Sequence, residues 1–224
     1  MSKMKGVSAS IGHGIFTAAD ASRILKIPYP KANYWFKYYA KQKLSLTAEY
    51  IYHFPVRDVI AVNFLTLIEM YVFYTLKEKG IKTSKIIKAH TAMSKFLGTP
   101  YPFAKEDIYI NSNKKTLLFG NDDQLITADE HLQSVIVQVL KLFISKVQFD
   151  DDRIANKFYP LGKGKTIVVN PENQFGQPII EGTNILTETI YNLSVGGDSH
   201  DFIAKLYDIS LKNVEDAIEF AKAA

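Results

Sequence analysis

The sequence predicts a mainly α-helical protein, and three observations support this prediction. Two long apolar stretches, residues 58–79 and 131–147, are typical of buried helices. Alternating strand patterns are short, the clearest being residues 50–54 and the hairpin-like stretch 108–120. The 224 residues are 47% hydrophobic and 22% charged, a composition that can bury a core.

Changes in composition along the chain divide it into four expected regions. We expect residues 1–54 to form a helix-turn-helix domain. Residues 55–150 are expected to form a helical middle region that contains a β-hairpin and serves dimerisation. Residues 151–170 are expected to be a linker with short strands. Residues 171–224 are expected to form a C-terminal helical domain, itself of helix-turn-helix shape and preceded by short strands.

The first expected helix has a clear start signal. Thr17 can cap it, and Asp20 stands three residues later, where a capping box needs an acceptor, although its side chain is short for the return bond. An apolar stripe at helical spacing follows, made of Ala18, Ala21, Ile24 and Leu25. Pro28 and Pro30 end the connection to a second helix, and Pro30 suits the first position of that helix.

The second expected helix lies in residues 26–43, which hold five lysines, six aromatic residues and no acid. One face, expected to be core, carries Ala32, Trp35, Phe36 and Tyr39 at positions i, i+3, i+4 and i+7. The opposite face suits nucleic acid, because lysines bind phosphates and guanine while Asn33 can pair with adenine. The residues expected to contact DNA are Arg23, Tyr29, Lys31, Asn33, Tyr34, Lys37, Tyr38, Lys41 and Lys43.

The net charge of +4 hides an uneven distribution of charge along the chain. Residues 1–100 carry a net charge of +10, and residues 101–224 carry a net charge of −6. The first half therefore suits a polyanion, and the second half suits a partner of different character. Chance variation of solvated surfaces is the alternative explanation.

Composition also argues against secretion and membrane insertion. Cysteine is absent, which excludes disulfides and thiol chemistry and fits a reducing cytoplasm. The N-terminal residues show no apolar run typical of a signal peptide. The apolar stretch 59–76 is interrupted by Glu69 and other polar residues, so we expect a buried helix there and a cytoplasmic protein.

Three possible chemical motifs fail on spacing. Residues 162–166, GKGKT, lack the first glycine of a phosphate-binding loop, since Tyr159 stands there, and they precede an expected strand. The acidic run 150–152 lacks calcium-loop spacing. The five histidines stand singly, without a partner at metal-ligand spacing. We therefore expect no catalytic residues, no cofactor and no metal site.

Three stretches of the chain resemble a known family. Residues 14–36 resemble the N-terminal DNA-binding module of MerR-like and antitoxin proteins. Residues 62–104 resemble the SFLDLIE…GVS…IRKA…HPFA pattern of VapB-type antitoxins. Residues 170–193, followed by the helix pair 200–221, resemble that family's C-terminal domain of unknown function. Asn184 stands where many shorter relatives of this domain have arginine.

The resemblance implies a type II antitoxin. Such a protein would neutralise a small PIN-like ribonuclease toxin and repress its own operon by binding operator double-stranded DNA. We expect a homodimer, because one helix-turn-helix makes too few contacts for a specific site, and a hetero-oligomer with the toxin. The pattern of the C-terminal domain occupies Gly176, Pro178, Ile179, Ile180, Gly182 and Thr183.

The C-terminal domain is expected to bind protein and not DNA. Its last helix carries carboxylates, which repel phosphates, although these acids could also serve only to keep a surface helix soluble. The residues expected to contact the toxin are Gly182, Thr183, Asn184, Tyr191, Tyr207, Glu215, Asp216 and Glu219. A stand-alone transcription regulator, whose C-terminal domain dimerises or senses a ligand, is the alternative function, and an enzyme of unrecognised type is the third.

Overall fold

The structure is a computed structural model, and it describes residues 13–40, 51–54, 59–106 and 143–222. The described chain is mainly α-helical, as predicted, with a few short strands in small sheets. The helices are α1 Ala18–Leu25, α2 Tyr29–Tyr34, α3 Phe64–Glu78, α4 Thr83–Leu97, α5 Thr187–Val195, α6 His200–Tyr207 and α7 Leu211–Lys222. The strands are β1 Phe16–Thr17, β2 Ile51–Phe54, β3 Val59–Val62, β4 Val147–Phe149, β5 Ala155–Phe158, β6 Ile167–Val168 and β7 Ile179–Ile180.

The strands pair antiparallel in three small sheets. The first sheet has the order β1-β3-β2, with Phe16 opposite Val62 and Phe54 opposite Val59. The other two sheets are the pairs β4–β5 and β6–β7. The acidic run 150–152 lies in the turn between β4 and β5, where a carboxylate oxygen of Asp150 accepts a hydrogen bond from the backbone N–H of Ile154.

The predicted capping box opens α1. The Thr17 hydroxyl accepts from the backbone N–H of Asp20 at 3.2 Å, and the Asp20 carboxylate accepts from the N–H of Thr17 at 2.9 Å. The aspartate therefore does reach back, despite its short side chain. The predicted apolar stripe of α1 is buried, which confirms the helical spacing.

Helix α2 differs from the prediction in its second half. It begins at Tyr29, one residue before the expected start, and after Tyr34 it continues as a π-helical segment, Trp35–Ala40. The adjacent rings of Trp35 and Phe36 are both buried, and the wider π turn accommodates two large neighbours on the core side. Ala32 is buried as predicted.

The prediction of one helix over 58–79 was wrong at its N-terminal end. Residues 59–62 form β3, and α3 starts only after Asn63, whose side-chain oxygen accepts from the N–H of Thr66 at 2.9 Å. The β-branched sequence of β3 favours pairing with β2 over the first helical turn. The resulting hairpin joins residues on both sides of the expected boundary between 54 and 55. The division into four regions otherwise stays a prediction.

Helix α4 ends at Gly98 in the left-handed conformation. Its core side contains Ile86, His90 and Met93, whereas Phe96 is 61% exposed. The predicted hairpin at 108–120 lies outside the described residues, as does most of the predicted helix 131–147. That helix does not extend to residue 147, because β4 begins there.

One hydrophobic core connects the two ends of the chain. It includes Phe36 from the N-terminal helix pair, Phe73 from α3 and Phe220 from α7. Backbone contacts join the ends as well, since the N–H of Ile15 donates to the carbonyl of Phe175 at 3.0 Å. Among the described residues, none of the helices combines the length and apolar character that a membrane crossing requires.

Candidate functional site

The first candidate site is the pair of short helices near the N-terminus. Helices α1 and α2 are joined by residues 26–28, and Lys26 adopts the left-handed conformation with φ 56°. The Ser22 hydroxyl donates to the carbonyl of Ile27 at 2.6 Å and closes the turn. Such a short, hydrogen-bonded connection fixes the direction in which α2 leaves the core.

The outer side of α2 is rich in exposed rings. Tyr29, Tyr34 and Tyr38 are 53%, 50% and 47% exposed, and the rings of Tyr34 and Tyr38 lie 4.6 Å apart. Lys31 and Lys37 are exposed beside them, and Asn33 is half-buried. The structure therefore brings together six of the predicted DNA contacts, while Lys41 and Lys43 lie outside the described residues.

A carboxylate from α3 lies beside this face, although residues 26–43 themselves hold no acid. The Lys31 ammonium lies 3.2 Å from the Glu78 carboxylate and donates to the Tyr74 hydroxyl at 3.1 Å. Hydrogen bonds to Tyr74 and Glu78 raise the pKa of Lys31, so it stays charged. Sequence reasoning missed Glu78 because it comes from the end of α3, far along the chain.

Arg23, predicted to hold a phosphate, instead makes internal contacts. Its guanidinium donates to the side-chain oxygen of Gln177 at 2.5 Å and lies 3.5 Å from Asp20 and 3.9 Å from Glu188. Two of these partners, Asp20 and Glu188, are negatively charged, and Gln177 and Glu188 belong to the C-terminal region. The contacts therefore join α1 to that region, and the contact of Arg23 with DNA stays a prediction.

The glycine-threonine step of the C-terminal region builds a turn. The Thr183 hydroxyl donates to the carbonyl of Ile180 at 2.8 Å and accepts from the N–H of Ile185 at 3.0 Å. Gly182 has φ +78°, which favours glycine there. Asn184 is exposed beside this turn, so it is the member of the predicted trio whose side chain is most accessible.

Two of the predicted acidic contacts on α7 have internal partners. Asp216 is buried, and its carboxylate accepts from the Lys165 ammonium and the Thr166 N–H, both at 3.0 Å. Burial alone would raise the pKa of Asp216, but the hydrogen bonds from Lys165 and Thr166 lower it overall. Glu219 lies 2.7 Å from the same ammonium. Asp216 thus holds the loop before β6, whereas Glu215 and Glu219 are exposed.

The exposed face of α6 was missed. Phe202 and Leu206 are 52% and 56% exposed, whereas Ile203 and Ala204 are buried. Residues four apart lie on one side of a helix, so Phe202 and Leu206 form one apolar surface, which we call the α6 face. The predicted contacts Tyr191 and Tyr207 are half-buried. Residues 198–219 hold six carboxylates against two lysines.

A buried contact between a carboxyl group and an imidazole in the middle of the chain was also missed. The Glu69 carboxylate lies 3.0 Å from Nε2 of His90, and its other oxygen accepts from the N–H groups of Phe103 and Ala104 at 2.8 and 3.2 Å. Burial raises the pKa of Glu69, although His90 and the two amides act in the opposite direction. The pair is far apart in sequence and is fully buried, so it holds the segment after α4 against α3. In the described ranges, no group of three or more possible metal ligands occurs.

Comparisons with known proteins agree with the resemblance seen in the sequence. The family described as Protein of unknown function (DUF433) matches residues 167–221, which contain β6, β7 and the three C-terminal helices. A protein of Mycobacterium tuberculosis named "Putative antitoxin VapB45" is 20% identical over 92% of each chain. The similarity to a VapB-type antitoxin with this C-terminal domain is thereby confirmed.

Two further matches come from the same organism. The uncharacterised protein Rv2308 is 38% identical over 56 residues, which cover 25% of this chain and 24% of that protein. The crystal structure of Rv2018 has a TM-score of 0.67 at 16% identity and covers 91% of this chain and 96% of its own. That likeness shows a shared fold.

Proposed function

We propose that this chain is the antitoxin of a type II toxin–antitoxin pair, which neutralises a PIN-like ribonuclease and represses its own operon. The observation that carries the proposal is the similarity to a protein named as an antitoxin over 92% of both chains. The two candidate surfaces, one cationic and aromatic and the other apolar with acidic surroundings, provide separate places for DNA and for a protein partner.

The DNA-binding part of the proposal assigns α1 and α2 to a helix-turn-helix. The three-residue connection and the exposed outer side of α2 support this assignment, because such a second helix can enter the major groove. Lys31, Lys37 and the tyrosines would contact the sugar-phosphate backbone of the DNA, and Asn33 would contact the edge of a base. The β2–β3 hairpin follows α2 in sequence and would act as a wing or a brace.

Replacing Lys37 by glutamine is expected to weaken binding to all duplex DNA. Each lost phosphate contact lowers the salt dependence, so the slope of log affinity against log salt should fall by about one unit. Fluorescence anisotropy with operator and random duplexes at several salt concentrations measures this slope. Lys88→Gln, at an exposed lysine of α4, is the matched control and should leave the slope unchanged. An equal slope in wild type and Lys37→Gln would place the DNA site elsewhere.

The toxin-binding part of the proposal assigns the α6 face to the nuclease. An exposed phenylalanine next to an exposed leucine is costly in water and gains free energy when a partner covers it. Residues 198–215 hold four carboxylates against two lysines, and this excess of negative charge favours a basic partner segment. The same excess argues against a second copy of this chain on the α6 face, because two acidic surfaces would then face each other.

Replacing Phe202 by glutamate is expected to reduce the affinity for the toxin at least about tenfold. The complex would then have to bury a charged carboxylate where it would otherwise bury an aromatic ring. The toxin for this test is the product of the neighbouring gene, and calorimetry with purified proteins measures the affinity. Phe96→Glu is the matched control, since Phe96 is also exposed but lies on α4. If both variants bind as tightly as the wild type, the α6 face is not the contact.

A further inference from the structure

The turn between α1 and α2 is built around a lysine in an uncommon backbone conformation. Lys26 has φ 56° and ψ 42°, a left-handed conformation that glycine normally supplies at the end of a helix. Because α2 begins at Tyr29, the backbone angles of Lys26 help to set the direction of α2. A strained backbone at a residue with a long side chain directs attention to the contacts of that side chain.

The side chain of Lys26 reaches the end of the last helix. Its ammonium donates to the carbonyl of Phe220 at 2.7 Å and lies 4.0 Å from the centre of the Phe220 ring. Phe220 belongs to the last turn of α7, where the carbonyls have no partner within the helix. It is also completely buried, so Lys26 binds a fixed point of the core. The α1–α2 turn thus supplies a cap to a helix end 194 residues further along the chain.

The Lys26 amine is partly withdrawn from water in this contact. Burial, with additional repulsion from Arg23 and Lys146, lowers the pKa of Lys26 to about 8. Lys37 on the outer side of α2, by contrast, is exposed. Lys26 therefore differs from a lysine that offers its charge to a phosphate, and its contact with α7 acts on the position of the turn.

We propose that Lys26 is a positioning residue for α2, because it ties the turn before this helix to the C-terminal end of α7. The tie holds the outer side of α2 in the orientation in which it contacts DNA, and Lys26 itself does not touch the duplex. The effect on DNA binding rests on the proposed function, whereas the effect on the position of α2 does not. Arg23 makes a separate tie, from α1 to Gln177 and Glu188.

The first test measures DNA affinity with the full chain and the duplex upstream of its own gene. Lys26→Met, which keeps an apolar stem and loses the amine, should weaken binding by about three- to thirtyfold. The slope of log affinity against log salt should stay unchanged, because no phosphate contact is lost. Lys146→Met is the matched control, since the Lys146 ammonium also donates to a backbone carbonyl, that of Pro160, at 2.7 Å. It should leave the affinity unchanged.

The second test follows α2 without DNA. Trp35 is the one tryptophan of the chain, follows α2 directly and is 4% exposed, so its emission reports whether this segment stays packed. The emission of Lys26→Met should move to longer wavelength, and that of Lys146→Met should not. Lys26→Gly separates the side chain from the backbone, because glycine adopts the left-handed conformation without strain but has no amine. It should behave like Lys26→Met in both tests.

Three results would overturn the proposal. A salt slope that falls by about one unit in Lys26→Met would make Lys26 a direct phosphate contact. An unchanged Trp35 emission in that variant would show that α2 keeps its position without the tie. Wild-type behaviour of Lys26→Gly would leave only the backbone conformation important. If the wild type binds no duplex, the proposed function fails, but a Trp35 shift in Lys26→Met still supports the positioning role. Thermal unfolding defines a temperature at which all variants are folded.

Discussion

Replacing Gly176 by alanine is expected to destabilise the protein by about 2–4 kcal/mol, since it combines left-handed backbone strain with overpacking of the core. Gly176 is buried with φ +84°, and a Cβ atom there would overlap the ring of Phe16. That ring is completely buried, with its centre 6.4 Å from that of the Phe64 ring, so it cannot move aside without opening the core. The glycine of the family pattern is therefore explained by the close approach of the loop to Phe16.

A matched glycine separates the two causes. Gly182 has φ +78°, but nothing lies within 4 Å of the position that its Cβ would take. Gly182→Ala should therefore cost only the backbone strain, about 1–2 kcal/mol. Urea unfolding of both variants measures the difference. Equal losses would show that the Phe16 contact contributes nothing beyond the backbone conformation.

Replacing Glu69 by alanine is expected to have an even larger effect, about 3–5 kcal/mol, because breaking a buried pair leaves the remaining polar groups without partners. The backbone N–H groups of Phe103 and Ala104 would lose their acceptor, and His90 would lose its carboxylate. Glu69→Gln keeps the shape and one acceptor oxygen, so its loss should be clearly smaller. If Glu69→Gln and Glu69→Ala lower the free energy of unfolding equally, the hydrogen bonds from the N–H groups of Phe103 and Ala104 do not contribute to stability.

The buried contact between Glu69 and His90 also predicts that the stability of the protein depends on pH. Burial raises the pKa of Glu69 above its ordinary value of 4.5, so the folded chain keeps a proton that the unfolded chain releases. The stability of the wild type relative to Glu69→Gln should therefore be greatest below pH 4.5 and should decline as the pH rises toward the folded-state pKa. Urea unfolding of both proteins between pH 4 and 8 measures this. A relative stability that rises with pH would show that the pKa is lowered instead.

Local signals in the sequence were sufficient for most helices. The capping box at Thr17, the stop at Gly98 and the periodic burial along α1 all follow from residues close in sequence. Strand β3 was missed because a short apolar run before a helix is compatible with either structure, and only its pairing with β2 decides. The π segment after Tyr34 has no local sequence signal either.

The candidate sites were predictable in their composition but not in their partners. The exposed rings and lysines of α2 followed from helical spacing, whereas the contact of Lys31 with Glu78 depends on how α3 packs beside α2. Asp216 was assigned to a surface because a charged residue is normally exposed, but Lys165 comes from a distant loop and makes its burial possible. The exposure of Phe202 also depends on packing, because this residue lies on the open side of α6.

The antitoxin function is tested most directly by co-expression of this chain with the product of the gene beside its own. We expect that this product alone arrests growth and degrades RNA, that the wild-type chain restores growth, and that the two proteins purify together in equal amounts. Phe202→Glu should fail to restore growth, while Phe96→Glu should succeed. A neighbouring product that is harmless alone, or that remains toxic beside the wild-type chain, would contradict the antitoxin function and favour a stand-alone DNA-binding regulator.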